Sequence, residues 1–293
     1  MKIATAAYPP TWLDNWGAYE EKLSAWVSDA AEQGAELLVF PEYGAMELAS
    51  LSGEQAAGSV QGSIEAVGEW LPKANALYAT LAQEHGVHIL SPSAPVRDGA
   101  RTVNRTGLFT PDGKVGWQDK QIMTRFERDD WGVEGGGPLQ IFDTTLGKIG
   151  VLICYDSEFP LLGKALADAG AEIILVPSAT EAEEGYSRVR IGAMARALEL
   201  QCVTVMASLV GEEPRLYAVE ENRGRGGIFG PPDRGFPPSG VISEGVMDAP
   251  GWTYADVDLE AIRAVRADGR VLNLTHWAEQ APRVGQVSHS QLT

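Results

Sequence analysis

The chain has 293 residues and sets 23 Lys and Arg against 40 Asp and Glu, a formal net charge of −17. No Lys/Arg cluster exists beyond Arg223–Arg225 in a glycine-rich loop, which argues against a nucleic-acid binder or docking on an anionic membrane. Hydrophobic content of 44% with 22% charged residues is ordinary for a globular chain and argues against wholesale disorder.

Short β-type runs alternate with helical patterns. Lys2–Ala7 reads as a first strand. Trp16, Tyr19, Leu23, Trp26, Val27 and Ala30 share one helical face, which predicts a helix over about 16–33. Leu37-Leu38-Val39-Phe40 is a short buried strand stopped by Pro41. A helix near 63–85 ends at Gly86, and Val87–Leu90 is the next strand. Segments near 103–110 and 114–119 flank Pro111-Asp112-Gly113, a hairpin signal. Residues 120–138 read as a long loop. Ile149–Cys154 is an apolar strand, followed by a helix at 159–169 and a strand Ile173–Val176 stopped by Pro177. A helix near 184–200 leads into Val203–Ala207. Beyond 210 come hairpins and loops, with strand candidates at Gly227–Phe229 and Gly240–Ile242. A last strand Trp252–Val257 and a short helix Leu259–Ala267 follow.

Gly34-Ala35-Glu36-Leu37-Leu38-Val39-Phe40-Pro41 has an echo in Gly170-Ala171-Glu172-Ile173-Ile174-Leu175-Val176-Pro177. Two αβ halves of one domain would produce it, and so would chance reuse of helix–turn–strand grammar. The expected organisation is a single domain over 1–278 and a polar tail over 279–293. Two cysteines, Cys154 and Cys202, are too few for a disulfide framework or a cysteine-rich zinc site. The apolar stretch at the N-terminus is too short for a signal peptide, and no run of about 18 apolar residues exists. A reduced, cytoplasmic protein is the expectation.

Cys154 stands where an apolar strand gives way to a helix start, a position that stabilises a thiolate and offers N–H groups to an oxyanion. The competing reading is a thiol that fills a core gap, as expected for Cys202. Glu42, just after the strand ending at Pro41, is a candidate base whose pKa partial burial would raise. A solvated loop glutamate is the alternative. Lys120 ends the strand Val115–Asp119; it is either a surface lysine or a buried cation between Asp119, Glu127 and Glu134 that stabilises an oxyanion. None of the four histidines has metal-ligand spacing, and His85 and His88 suit capping around Gly86. A pairing of Cys154 with His276 has no specific support. Phosphate-loop and serine-elbow motifs are absent, and Gly135–Gly137 read as turn glycines.

Taken together, three segments resemble the nitrilase superfamily of carbon–nitrogen hydrolases. They are Ala35-Glu36-Leu37-Leu38-Val39-Phe40-Pro41-Glu42, Trp117-Gln118-Asp119-Lys120, and Ile149-Gly150-Val151-Leu152-Ile153-Cys154-Tyr155-Asp156-Ser157-Glu158-Phe159-Pro160. The order Glu, Lys, Cys matches that family's triad, and the resemblance runs over about 2–260.

The resemblance implies an α/β fold, a four-layer αββα sandwich, paired as a homodimer through outer helices. It implies Glu42 as general base, Cys154 as nucleophile, and Lys120 with the Tyr155 N–H as oxyanion stabilisers. Glu127 would be the second glutamate, with Glu134 as fallback. By analogy, Tyr43, Trp131, Tyr155, Ser178 and Ala179 would line the pocket. The substrate would be a small amide or N-carbamoyl compound, with no metal or organic cofactor. The chain departs from common members at Gln121–Glu127 and at Glu158, where many relatives carry arginine. Tyr155-Asp156 after the cysteine favours amides over nitriles. A non-catalytic binding protein on the same scaffold is the competing class.

Overall fold

A computed structural model describes residues 1–285 and 287–292. Its architecture follows from how two strands meet. Lys2–Tyr8 and Val203–Leu209 pair in parallel only at their ends, Ala7 with Ser208 and Tyr8 with Leu209. Below that join each takes another partner. Lys2–Ala7 pair antiparallel with Gly251–Asp256, and Thr204–Met206 pair antiparallel with Gly227–Phe229. One 14-stranded sheet therefore forks into two. The first branch runs through Leu37–Val39, His88–Leu90, Arg101–Phe109 and Ala94–Asp98. The second runs through Ile173–Ser178, Gly147–Val151 and Ile141–Thr144, with Val241–Glu244 added to Gly227–Phe229.

Strand alternation then assigns the layers. Ile3, Leu37, Val39, Leu90 and Leu108 turn toward the second branch and pack with Ile149, Ile173–Val176 and Val205. Ala4, Ala6, Leu38 and Phe40 turn the other way, against Tyr19, Leu23 and Val27 of the helix Trp16–Glu32 and Tyr78 and Leu81 of the helix Val60–His85. Leu166, Val189, Ala193 and Ala197 bring the helices Pro160–Asp168 and Glu183–Leu200 onto the second branch. The result is the four-layer αββα sandwich.

Local signals set the helix ends. Asn15 and Ser59 cap the two long N-terminal helices by accepting backbone N–H groups, each worth about 1 kcal/mol. Gly86, at φ 67°, ends the second in a left-handed cap, so neither His85 nor His88 is needed there, and His88 opens a strand instead.

Several elements differ from the sequence reading. The segment 120–138 is not all loop: it holds a short helix, Arg125–Asp129, and a two-residue strand, Val133–Glu134, paired with Arg101–Phe109. The strand at Ile173 runs through Pro177 to Ser178. Pairing with Gly147–Val151 has ended by Leu175, so the edge beside Pro177 is open and tolerates a missing N–H. The strand before Cys154 stops at Val151; Cys154–Glu158 is a 3₁₀ turn, and the helix waits for Pro160, whose ring favours the first helical position. From Glu279 onward the described residues are exposed.

The sequence echo is structural. Gly34 and Gly170 both adopt positive φ, 79° and 99°. Glu36 donates its N–H to Lys2 O at 2.8 Å, and Glu172 donates to Lys148 O at 2.9 Å. The two copies enter the two branches in the same way, consistent with an αβ unit used twice. No helix among the described residues is long and apolar enough to cross a membrane.

Candidate active site

Glu42, Lys120, Cys154 and Ala179 each follow a strand, and sheet topology puts all four strand ends on one edge. Leu37–Val39, Gly147–Val151 and Ile173–Ser178 run parallel to the joined central strands. Val115–Asp119 is antiparallel to Arg101–Phe109, itself antiparallel to His88–Leu90, so it points the same way. The carboxyl ends of such strands are where αβ proteins gather reactive groups.

Lys120 is 1% exposed. Its Nζ lies 2.7 Å from Glu42 Oε1 and 2.6 Å from Glu127 Oε2. Asn104 Nδ2 donates to Glu42 Oε1 at 2.9 Å and to Glu127 Oε1 at 3.4 Å. The backbone N–H of Ala179 donates to Glu42 Oε2 at 3.1 Å. Tyr43 OH donates to Glu127 Oε1 at 2.8 Å. Thr124 donates both its N–H and its hydroxyl to Glu127 Oε2, each at 2.9 Å, and its Oγ1 accepts the Glu127 N–H. Glu127 is therefore both the closing member of a capping box and a partner of Lys120. Glu134 is exposed on its edge strand.

Cys154 is buried, and its thiol donates to Ala179 O at 3.8 Å. It adopts φ 50°, a left-handed conformation that costs a non-glycine residue about 1–2 kcal/mol. Tyr43 is also left-handed, at φ 53°, with its N–H held by Ser93 Oγ at 3.0 Å. Strain of this kind collects where the surroundings over-determine the backbone. Asp156 supplies part of that determination: its carboxylate accepts N–H groups from Gln121, Ile122 and Ile153, at 3.1, 2.8 and 3.3 Å. It thereby ties the chain after Lys120 to the turn carrying Cys154.

The electrostatics are those of a paired, water-poor site. Burial pulls the Lys120 ammonium down, but two carboxylates outweigh it and hold the pKa above the ordinary lysine value. Burial pushes Glu42 up; the Lys120 charge opposes this, the Glu127 charge adds to it, and the net is a raised carboxyl. Burial acts on Glu127 the same way, yet Lys120, Thr124 and Tyr43 outweigh it and leave it below the usual range. Burial, then the Glu42 charge, lifts the Cys154 thiol well above its ordinary value. The resting thiol is neutral, beside a carboxylate suited to take its proton.

A cavity of about 550 Å³ opens over these groups. Tyr43, Trp131, Tyr155 and Ala179 line it, and the Tyr43 and Trp131 rings lie 4.8 Å apart. Ser178 does not: it is buried, and its hydroxyl donates to Ala207 O at 2.7 Å. His276 is exposed and is not part of the lining. No group of His, Cys, Asp and Glu able to hold a metal exists among the described residues.

The sequence reading passed over Asn104, Thr124 and the role of Asp156. Thr124 was legible, because Thr-x-x-Glu is a capping-box pattern. Asn104 carried no such pattern, and only the structure shows it as a fully buried amide inside the strand Arg101–Phe109.

The family profile described as Carbon-nitrogen hydrolase matches residues 2–230. The chain is 32% identical over 274 residues to the probable hydrolase YhcX of Bacillus subtilis, covering 94% of this chain and 53% of that protein. It thus spans about half the length of that relative. It is 26% identical over 255 residues to the omega-amidase NIT2 of Danio rerio, covering 82% of each. Among solved structures it is similar to a carbon-nitrogen hydrolase from Helicobacter pylori, with TM-score 0.74, 18% identity and coverage of 97% and 95%. A family profile over most of the chain and a fold match along nearly all of it lead to one assignment: the chain belongs to the carbon-nitrogen hydrolase family.

Proposed function

We propose that the protein hydrolyses the carbon–nitrogen bond of a small amide or N-carbamoyl compound through a thioester on Cys154. The observation that carries this is the buried Lys120 ammonium, held by Glu42 and Glu127 in the cavity that Cys154 also lines. Glu42 takes the thiol proton as sulfur attacks the carbonyl carbon. The Lys120 ammonium and the Tyr155 N–H receive the negative charge on oxygen. Glu42 returns the proton to the nitrogen as the C–N bond breaks, which releases ammonia or an amine. Glu42 then removes a proton from water as the water oxygen bonds to the thioester carbon, the C–S bond breaks, and Glu42 returns the proton to sulfur as the acid leaves. Glu127 positions the lysine throughout.

The amidase name of the Danio rerio relative supports amides over other carbon–nitrogen bonds. The reading treats residues 1–278 as one catalytic domain with a tail at 279–293. Homodimer formation through the outer helices belongs to the same proposal, supported by Leu161, Ile191 and Leu198, large apolar side chains left exposed on the two helices. A reducing, cytoplasmic location is supported by two free cysteines.

The test is an ammonia-release screen over small amides, carbamoyl amino acids and nitriles, with Cys154→Ala as the blank. Release from amides or carbamoyl compounds, lost in the blank, is expected. Turnover confined to nitriles, or surviving in the blank, overturns the proposal.

A further inference from the structure

We infer that the cavity selects amides that carry a positive charge, an ammonium or guanidinium, at the end remote from the scissile bond. This rests on the hydrolase reading above. The walls of the cavity have one dominant sign. Glu158, Glu181, Glu184, Glu220 and Glu221 line it against one basic wall residue, Arg188. Arg188 lies 3.6 Å from Glu158; the other four glutamates make no ion pair among the described residues. The floor does not offset them, because the Lys120 charge is already matched by Glu42 and Glu127.

Three separated chain segments supply these carboxylates: the turn after Cys154, the junction from Ala179 into the helix Glu183–Leu200, and the 3₁₀ turn and short strand over 217–222. Glu184 has a local explanation, since a carboxylate in the first turn favours a helix. Glu158 is paired with Arg188, but Glu220 and Glu221 have no such explanation and reach this opening only because the fold brings them there. A cleft with walls of one sign concentrates counter-charged ligands and raises their encounter rate about 10- to 1000-fold.

Two further features point to a ligand of this kind. Trp131 is 6% exposed and lines the cavity, and its Nε1–H has no hydrogen-bond partner among the described residues. A buried donor left unpaired is costly, and a further acceptor on a bound molecule satisfies it. Phe126 and Tyr217, also in the lining, are exposed aromatic rings, whose faces attract cations. The ligand so described has an acceptor at its inner end and a cation at its outer end. The volume of about 550 Å³ leaves room for both.

Three amides of matched length test this: ω-aminopentanamide, its neutral isostere hexanamide, and the anion glutaramate. The expected order of kcat/KM is cation, neutral, anion. The first step should be about tenfold or more, arise mainly in KM, and shrink at high salt. Equal values, or a reversed order, overturn the inference. A second readout needs no turnover. Trimethylammonioethyl and sulfonatoethyl methanethiosulfonates each form a mixed disulfide with Cys154 and expel methanesulfinate. Cys202, fully buried, stays unreacted. Relative to a small free thiol, the cationic reagent should react about tenfold faster or more. Equal normalised rates overturn the inference even if amides are hydrolysed. A cationic preference with no amide turned over keeps the charge selectivity and overturns the hydrolase reading instead. The double change Glu220→Gln with Glu221→Gln should lower the cation-to-neutral ratio by about threefold or more, and an unchanged ratio removes these two residues from the assignment.

Discussion

The Asp156 carboxylate accepts the backbone N–H of Ile122 at 2.8 Å, across 34 positions of chain. That bond, with those from Gln121 and Ile153, fixes the distance between the segment carrying Lys120 and the turn carrying Cys154. Burial is the largest influence on Asp156 and lifts it to about 7 against the Gln121 and Ile122 N–H groups and the Lys120 charge. The folded protein therefore binds this proton more tightly than the unfolded chain does. Its stabilising contribution is fully present below about pH 4 and declines as pH rises through about 7. Asp156→Asn removes the titration, so the Tm advantage of the parent over the variant should shrink between about pH 4 and pH 8. A thermal-unfolding series in which the gap stays constant or widens contradicts this. The variant's kcat should fall with little change in KM, because an amide cannot accept from both strands as a carboxylate does.

Glu42 must be ionised to accept the thiol proton. Its pKa is raised, so activity should fall on the acid side at a pH above the ordinary glutamate range, lost as pH drops through the folded value. The limb belongs to the interacting set of Glu42, Glu127 and Lys120. Glu42→Gln should lower kcat by about 10²- to 10⁴-fold and erase that limb. A kcat/KM profile whose acid limb survives the substitution would remove Glu42 from the role of base.

Replacing Lys120 by Met leaves Glu42 and Glu127 buried against each other with no cation. The expected loss of stability is about 3–5 kcal/mol, recovered in part at low pH as the carboxylates protonate. Adding Glu127→Gln should restore some of it at neutral pH. Denaturant unfolding that gives a loss under about 1 kcal/mol for Lys120→Met would mean that the three groups are not coupled as their distances imply.

Gly136 donates its N–H to Lys120 O at 3.0 Å, and a Cβ there would stand 2.0 Å from Asp119 Cβ. Asp119 cannot retreat readily, since it is paired with Arg105 at 2.6 Å and holds the Gly137 N–H at 3.0 Å. Gly136→Ala should destabilise by about 1–3 kcal/mol or more and depress kcat by moving Lys120. Gly68→Ala, in the exposed middle of the helix Val60–His85 with nothing within 4 Å, is the contrasting case and should stabilise by up to about 1 kcal/mol. Comparing the two melting curves separates a steric effect from a general intolerance of alanine.

Much of the site was legible from strand grammar. Glu42 and Cys154 follow apolar runs short enough to be buried strands, and Lys120 follows a run that a hairpin signal announces. What local pattern left open was exposure. Lys120 by itself read more readily as a surface side chain, and only its two carboxylate partners, from 78 and 7 positions away, explain why it is buried. Asn104 was not legible at all, since an amide within a strand carries no mark of what it will face. Ser178 was assigned to the pocket from its strand end, but alternation turned its hydroxyl to Ala207.

The sequence by itself determined the alternation of strands and helices and the order of the reactive residue types, because period and punctuation are local properties of the chain. Only the tertiary structure decided which carboxylate meets the lysine, how the thiol is oriented, and that glutamates from three segments share one opening. Those depend on the fork between Lys2–Tyr8 and Val203–Leu209, where pairing is lost after two residues and each strand takes a new partner. Long-range hydrogen bonds and burial set that geometry, and no window of sequence contains them.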